Sequence, residues 1–113
     1  MAAHIKITKS PATWVARAIG AVIAETSAAL ELREGDYPAI IYFPRADIGM
    51  EFLEKTENST HCPHKGDASY YAIHGKSGII DNAAWSYETP LDGVAEIAGY
   101  LAFYDDKVTV EKL

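Results

Sequence analysis

Cysteine is almost missing from these 113 residues: Cys62 is the single thiol. No disulfide can form within the sequence, which fits a reducing cytoplasm and makes that the expected location. Basic clusters are missing too. The ten Lys and Arg residues stand scattered against sixteen Asp and Glu, for a net charge of −6. That balance repels phosphate backbones and anionic lipid surfaces, so neither nucleic acid nor membrane is an expected partner. Long apolar runs are lacking as well: the stretch from Trp14 to Ala24 is broken by Arg17, and Met1-Ala2-Ala3-His4-Ile5-Lys6 has no basic region followed by an apolar one. Neither a transmembrane span nor a signal peptide is expected. Nor does any repeat, low-complexity tract or linker-like segment divide the chain, so residues 1–113 are expected to form one domain.

What is present suits a packed β protein. Apolar residues make up 49% and charged residues 23% of the sequence, enough for burial to offset the entropy of ordering the chain. A domain of this size removes roughly 65% of its unfolded surface from water without metal or disulfide staples. His4-Ile5-Lys6-Ile7-Thr8 alternates, Ile40-Ile41-Tyr42-Phe43 is a β-rich run stopped by Pro44, and Ser69 to His74 carries two adjacent tyrosines. Each reads as a strand. Gly75-Lys76-Ser77-Gly78 reads as a hairpin connection before Ile79-Ile80 and Trp85-Ser86-Tyr87. A second hairpin is expected to turn at Asp105-Asp106, between Tyr100 to Tyr104 and Val108 to Val110.

Short helices are expected after Asp47, with Ile48, Phe52 and Leu53, and after Asp92, with Val94 and Ile97, each acid serving as the cap. The stretch from Trp14 to Leu32 is ambiguous on pattern alone. Its alanines, with Val15, Ile19, Val22 and Ile23 at helical spacing, favour a helix; Gly20 and the alternation in Leu30-Glu31-Leu32-Arg33 favour strands.

The densest chemistry lies in Thr60-His61-Cys62-Pro63-His64-Lys65-Gly66. His61, Cys62 and His64 are all possible zinc ligands. Their adjacency is poor ligand spacing, however, and a fourth ligand would have to come from His4, His74 or a carboxylate, so no metal and no cofactor is expected. Cys62 is the candidate nucleophile, since Lys65 or a protonated imidazole would favour its thiolate. A small buried hydrophobe at a turn made by Pro63 and Gly66 is the competing reading.

The preferred reading is a pocket for a small anionic ligand. Lys65 and Arg45 would supply the cations, Glu34 and Asp47 would order them, and Tyr42, Tyr70 or Trp85 would form an apolar wall. Arg45 stands where one strand ends and Lys65 where another begins, so both are expected at one sheet edge. The competing reading keeps Arg45 as a structural ion-pair partner of Asp47 or Glu34. A further alternative is a noncatalytic interaction domain, including a homodimer paired through a sheet edge. Glu88 with Asp92, or Asp81 with Asp105, is weak evidence for glycoside chemistry among sixteen acids. Phosphate-loop, dinucleotide and serine-elbow signatures do not occur.

Four separate motifs carry a family resemblance: Tyr42-Phe43-Pro44-Arg45-Ala46-Asp47; Thr60 through Tyr70; Ala84-Trp85-Ser86-Tyr87-Glu88-Thr89-Pro90; and Ala102-Phe103-Tyr104. Taken in that order, they resemble the bacterial family called domain of unknown function 427, over about Trp14 to Val110. The resemblance implies a small, mainly antiparallel β domain with folded sheets like those of β-tent proteins, one or two short helices, and no established reaction. It also implies strands through Trp14 to Leu32, turning near Gly20 and Ser27. At the position of His64, family members commonly carry an aromatic residue.

Overall fold

A computed structural model describes residues 4–113. Ten strands form three small antiparallel sheets. β1 (Ile5–Lys9), β4 (Leu30–Glu34) and β5 (Ile40–Tyr42) make the first, in the order β1-β4-β5. β2 (Trp14–Ala18), β3 (Ala21–Thr26) and β10 (Thr109–Lys112) make the second, in the order β10-β2-β3. β6 (Leu53–Cys62), β7 (Gly66–Gly75), β8 (Gly78–Ser86) and β9 (Leu101–Phe103) follow one another in the third. The sheets are stitched by backbone pairs: Phe43 and Leu101 exchange bonds of 2.7 and 3.0 Å, and Gly49 donates to the Ile23 carbonyl at 2.8 Å.

The ambiguous stretch is therefore β2, β3 and β4. Ile19 and Gly20, at φ of 49° and 72°, turn the first hairpin. Ser27 and Ala28 carry the chain from the second sheet to the first. Alanine, despite its helix propensity, is useful here because Ala16, Ala24 and Ala29, each at most 2% exposed, let neighbouring layers approach closely.

Two apolar cores lie on either side of β7. Its successive residues alternate between them: Ala68 and Tyr70 face the core built with Leu30, Leu32, Tyr42, Tyr87 and Ala102, and Tyr71 and Ile73 face the one built with Ile23, Phe43, Leu101 and Phe103. The end of β5 and β9 divide in the same way, since Tyr42 and Phe43, the residue after β5, enter different cores, as do Leu101 and Ala102. Strands buried on both faces need unbroken apolar runs, which is why the tyrosines and alanines stand side by side in the sequence. Each fully buried large side chain contributes roughly 1.5–3 kcal/mol of transfer free energy. Phe43 and Phe103 also meet edge to face at 5.4 Å.

Three expectations are corrected. The short helices are single 3-10 turns at Arg45–Asp47 and Met50–Phe52 and two such turns kinked at Val94 over Asp92–Ile97, and none has a side-chain cap. Asp47 instead accepts a 2.7 Å bond from the buried Thr26 hydroxyl, and Leu53 already opens β6. The chain does turn at Asp105-Asp106, with Lys107 and Val108 both donating to the Tyr104 carbonyl. The flanking strands do not pair with each other. β9 is already bonded to β8 and to Phe43, so β10 pairs with the open edge of β2. Ile79, Ile80, Trp85 and Ser86 lie on one bulged strand that ends before Tyr87. The Gly75 to Gly78 hairpin is as expected. Among the described residues, no helix is long and apolar enough to cross a membrane.

Candidate functional site

Glu34 is the hub of the polar cluster. It ends β4, where the ladder pairs it with Ile5, and its two carboxylate oxygens are used separately. Lys65 Nζ donates to Oε1 at 2.9 Å, and His4 Nε2 lies 3.1 Å from Oε2. Lys65 is only 8% exposed, so its ammonium depends on that carboxylate. The Cys62 Sγ stands 3.7 Å from the same nitrogen. A tight turn creates this arrangement: Lys65 N–H donates to the Cys62 carbonyl at 3.2 Å, and Gly66 follows with φ of 112°. His64, in that turn, meets the edge of His4 with ring centroids 4.6 Å apart.

The Lys65 hydrogen bond, opposed by partial burial and reinforced by His4, holds the Glu34 carboxyl below its ordinary range. Behind the cluster, burial pushes the Tyr42 phenol well above its ordinary value and the Tyr87 phenol up to about 12. Both tyrosines stay neutral hydrogen-bonding groups at physiological pH.

Arg45 belongs to a different cluster. Its Nη2 donates to Glu88 Oε2 at 2.8 Å and to the Tyr71 hydroxyl at 3.2 Å, and that hydroxyl in turn donates to Glu88. Tyr71 faces one core while Cys62 packs against the other. Of the expected ligand residues, the fold thus unites Glu34, Cys62 and Lys65. It joins Tyr42 to Trp85 through a 3.2 Å indole bond, but leaves Arg45 with Glu88 and Asp47 with Thr26. His61, the other imidazole of the dense block, pairs with Asp67 at 2.7 Å on the exposed face.

A cleft of about 750 Å³ lies beside this cluster, between the β4–β5 ribbon and β2, β10 and the end of β9. Trp14, Trp85, Phe103 and Tyr104 wall it, with Tyr37 and Pro38 at one lip. Trp85 and Tyr104 stand 4.5 Å apart in a tilted stack, and Trp14 donates to Ser10 at 2.9 Å, so both indole N–H groups are satisfied by the protein. Five charged residues line it: Glu31, Arg33, Glu34, Asp105 and Lys112. Glu31 is bonded by Arg33 at 2.7 Å and Glu34 by Lys65. Sequence reading found Trp85 and Glu34 and missed Trp14, Tyr104, Arg33 and Lys112. The one sequence signal that could have found Trp14 is the scarcity of tryptophan, two residues in the chain.

The three antiparallel sheets and the cleft between them define a small, mainly β domain with a preformed concavity of ligand size. The chain belongs to the family described as Domain of unknown function (DUF427), whose pattern matches residues 6–112. No curated protein matches the sequence.

Proposed function

We propose that this domain binds a small planar molecule in the Trp14–Trp85–Tyr104 cleft, with an anionic group of the ligand directed to Arg33 and Lys112. The observation that carries the reading is the cleft itself. Its volume of about 750 Å³ falls within the roughly 300–1,000 Å³ usual for ligand sites, and its walls are aromatic with a few polar groups at the rim. Planar ligands gain stacking energy on such walls beyond area burial.

The anionic group expected from the sequence keeps its rationale but changes its partners. Lys65 and Arg45 each already hold a carboxylate at 2.9 and 2.8 Å. Arg33 spends one N–H on Glu31, leaving the rest of its fork open, and Lys112 forms no ion pair among the described residues.

Indole-3-acetate, indole and tryptamine share one ring system and differ in charge, so they test both parts of the proposal. Calorimetric titration should give a lower dissociation constant for indole-3-acetate than for tryptamine. Lys112→Ala should erase that preference, and Trp85→Ala should weaken all three. Binding that is absent for all three probes, or tightest for tryptamine, would sink the reading.

A further inference from the structure

We infer that His4, Glu34 and His64 form a binding site for a first-row transition-metal dication of the zinc type. Glu34 also lines the cleft, but the metal site does not rest on what the cleft binds. Three elements far apart in sequence bring these side chains together: the residue before β1, the end of β4, and the turn between β6 and β7. Their ligand atoms all lie within 4.8 Å of one another.

The distances suit the ion. Zinc binds imidazole nitrogen and carboxylate oxygen at about 2.0–2.2 Å, which puts neighbouring ligand atoms on a tetrahedral ion roughly 3.4 Å apart. His4 Nε2 and Glu34 Oε2 are already at 3.1 Å. Rotation of the half-buried His64 supplies the remaining closure, a shift of about 1.5 Å at most for that ligand spacing.

The supports are built in. Gly35 N–H donates to the His4 carbonyl at 3.1 Å, which fixes His4 against the end of β4. Lys65 takes Oε1 and leaves Oε2 directed toward His4, the kind of outer hydrogen bond that orients a ligating carboxylate. The neutral imidazole and carboxylate donors match zinc, cobalt or nickel rather than magnesium or calcium. Two imidazoles and one carboxylate leave a fourth position for water, and His4 faces solvent to admit it. Lys65 also places a positive charge near the ion, so binding should be weaker than at a closed structural site.

Zinc chloride titrated into tag-free, full-length protein, followed by calorimetry, is the test. Cobalt is the spectroscopic probe, because four-coordinate cobalt absorbs visible light far more strongly than the aqueous ion. One zinc per chain is expected, with a thermal upshift. His4→Ala and His64→Ala should each weaken binding at least about ten-fold, as loss of one ligand demands, whereas His61→Ala and His74→Ala should not. Both key variants alter exposed or half-buried groups, so near-unchanged melting of the metal-free forms separates lost ligation from lost folding. Absence of zinc binding at submillimolar metal would overturn the site. So would binding that survives both key substitutions, or that vanishes with His61→Ala instead.

Discussion

Removing the Glu34 carboxylate is the sharpest probe of the polar cluster. In Glu34→Ala the Lys65 ammonium, whose side chain is 10% exposed, keeps only the Cys62 sulfur at 3.7 Å. Stranding one member of a buried ion pair typically costs 3–5 kcal/mol, and the 21% exposure of Glu34 places the expectation at the low end, about 3 kcal/mol. With an unfolding entropy near 2.1 cal/mol/K per residue, that corresponds to a melting point lower by roughly 12 °C. The cost also has a pH signature. Glu34 titrates below the ordinary carboxyl value when folded, so its contribution is complete above the unfolded value and is lost as pH falls through the depressed folded value. Wild type and Glu34→Ala should therefore converge in acid, when both carry a buried ammonium without a carboxylate. Chemical denaturation at several pH values measures this. In Glu34→Leu/Lys65→Met, replacing both charges should restore most of the loss, because neither is then stranded. A cost below about 1 kcal/mol at neutral pH, or one that persists undiminished in acid, would refute the argument.

Three other outcomes follow from particular positions. Gly66→Ala should destabilise by about 2 kcal/mol, because φ of 112° lies outside what a side chain tolerates; equilibrium denaturation gives the value. Phe43→Ala should cost about 3–5 kcal/mol, since the ring is 0% exposed against Phe103 and bridges two sheets; the same measurement decides. Cys62, partly buried against the core that holds Tyr42 and Tyr70, should react with iodoacetamide more slowly in native than in unfolded protein. A faster native rate would revive Cys62 as a nucleophile.

The candidate site was legible only in pieces. The turn at Cys62-Pro63-His64-Lys65-Gly66 stood out because thiol, imidazole, amine and glycine are rarely so close, and Glu34 was named with Asp47 as an acid to order the cations. The pairing of Lys65 with Arg45 was not fulfilled, because a one-residue step along β7 reverses the facing side: Tyr71 leads to Arg45, while its neighbour Tyr70 shares a core with Cys62. The metal set had the same difficulty. His61 and His64 are sequence neighbours, yet His61 turns outward to Asp67 and His64 turns inward to His4.

Composition and local pattern alone determined a mainly β chain, from short β-rich runs punctuated by glycine and proline, and they marked the Cys62 turn and the Gly75 to Gly78 hairpin. These are properties of neighbouring residues, which the chain expresses wherever it folds. Tertiary structure decided the rest. It made strands of the alanine-rich stretch because small side chains were needed between layers, sent β10 to β2 because β9 was already paired on both edges, and brought Trp14 and Trp85 to the walls of one cleft. Each outcome depends on which edge or face remained free once distant segments had docked, information that no local window of sequence contains.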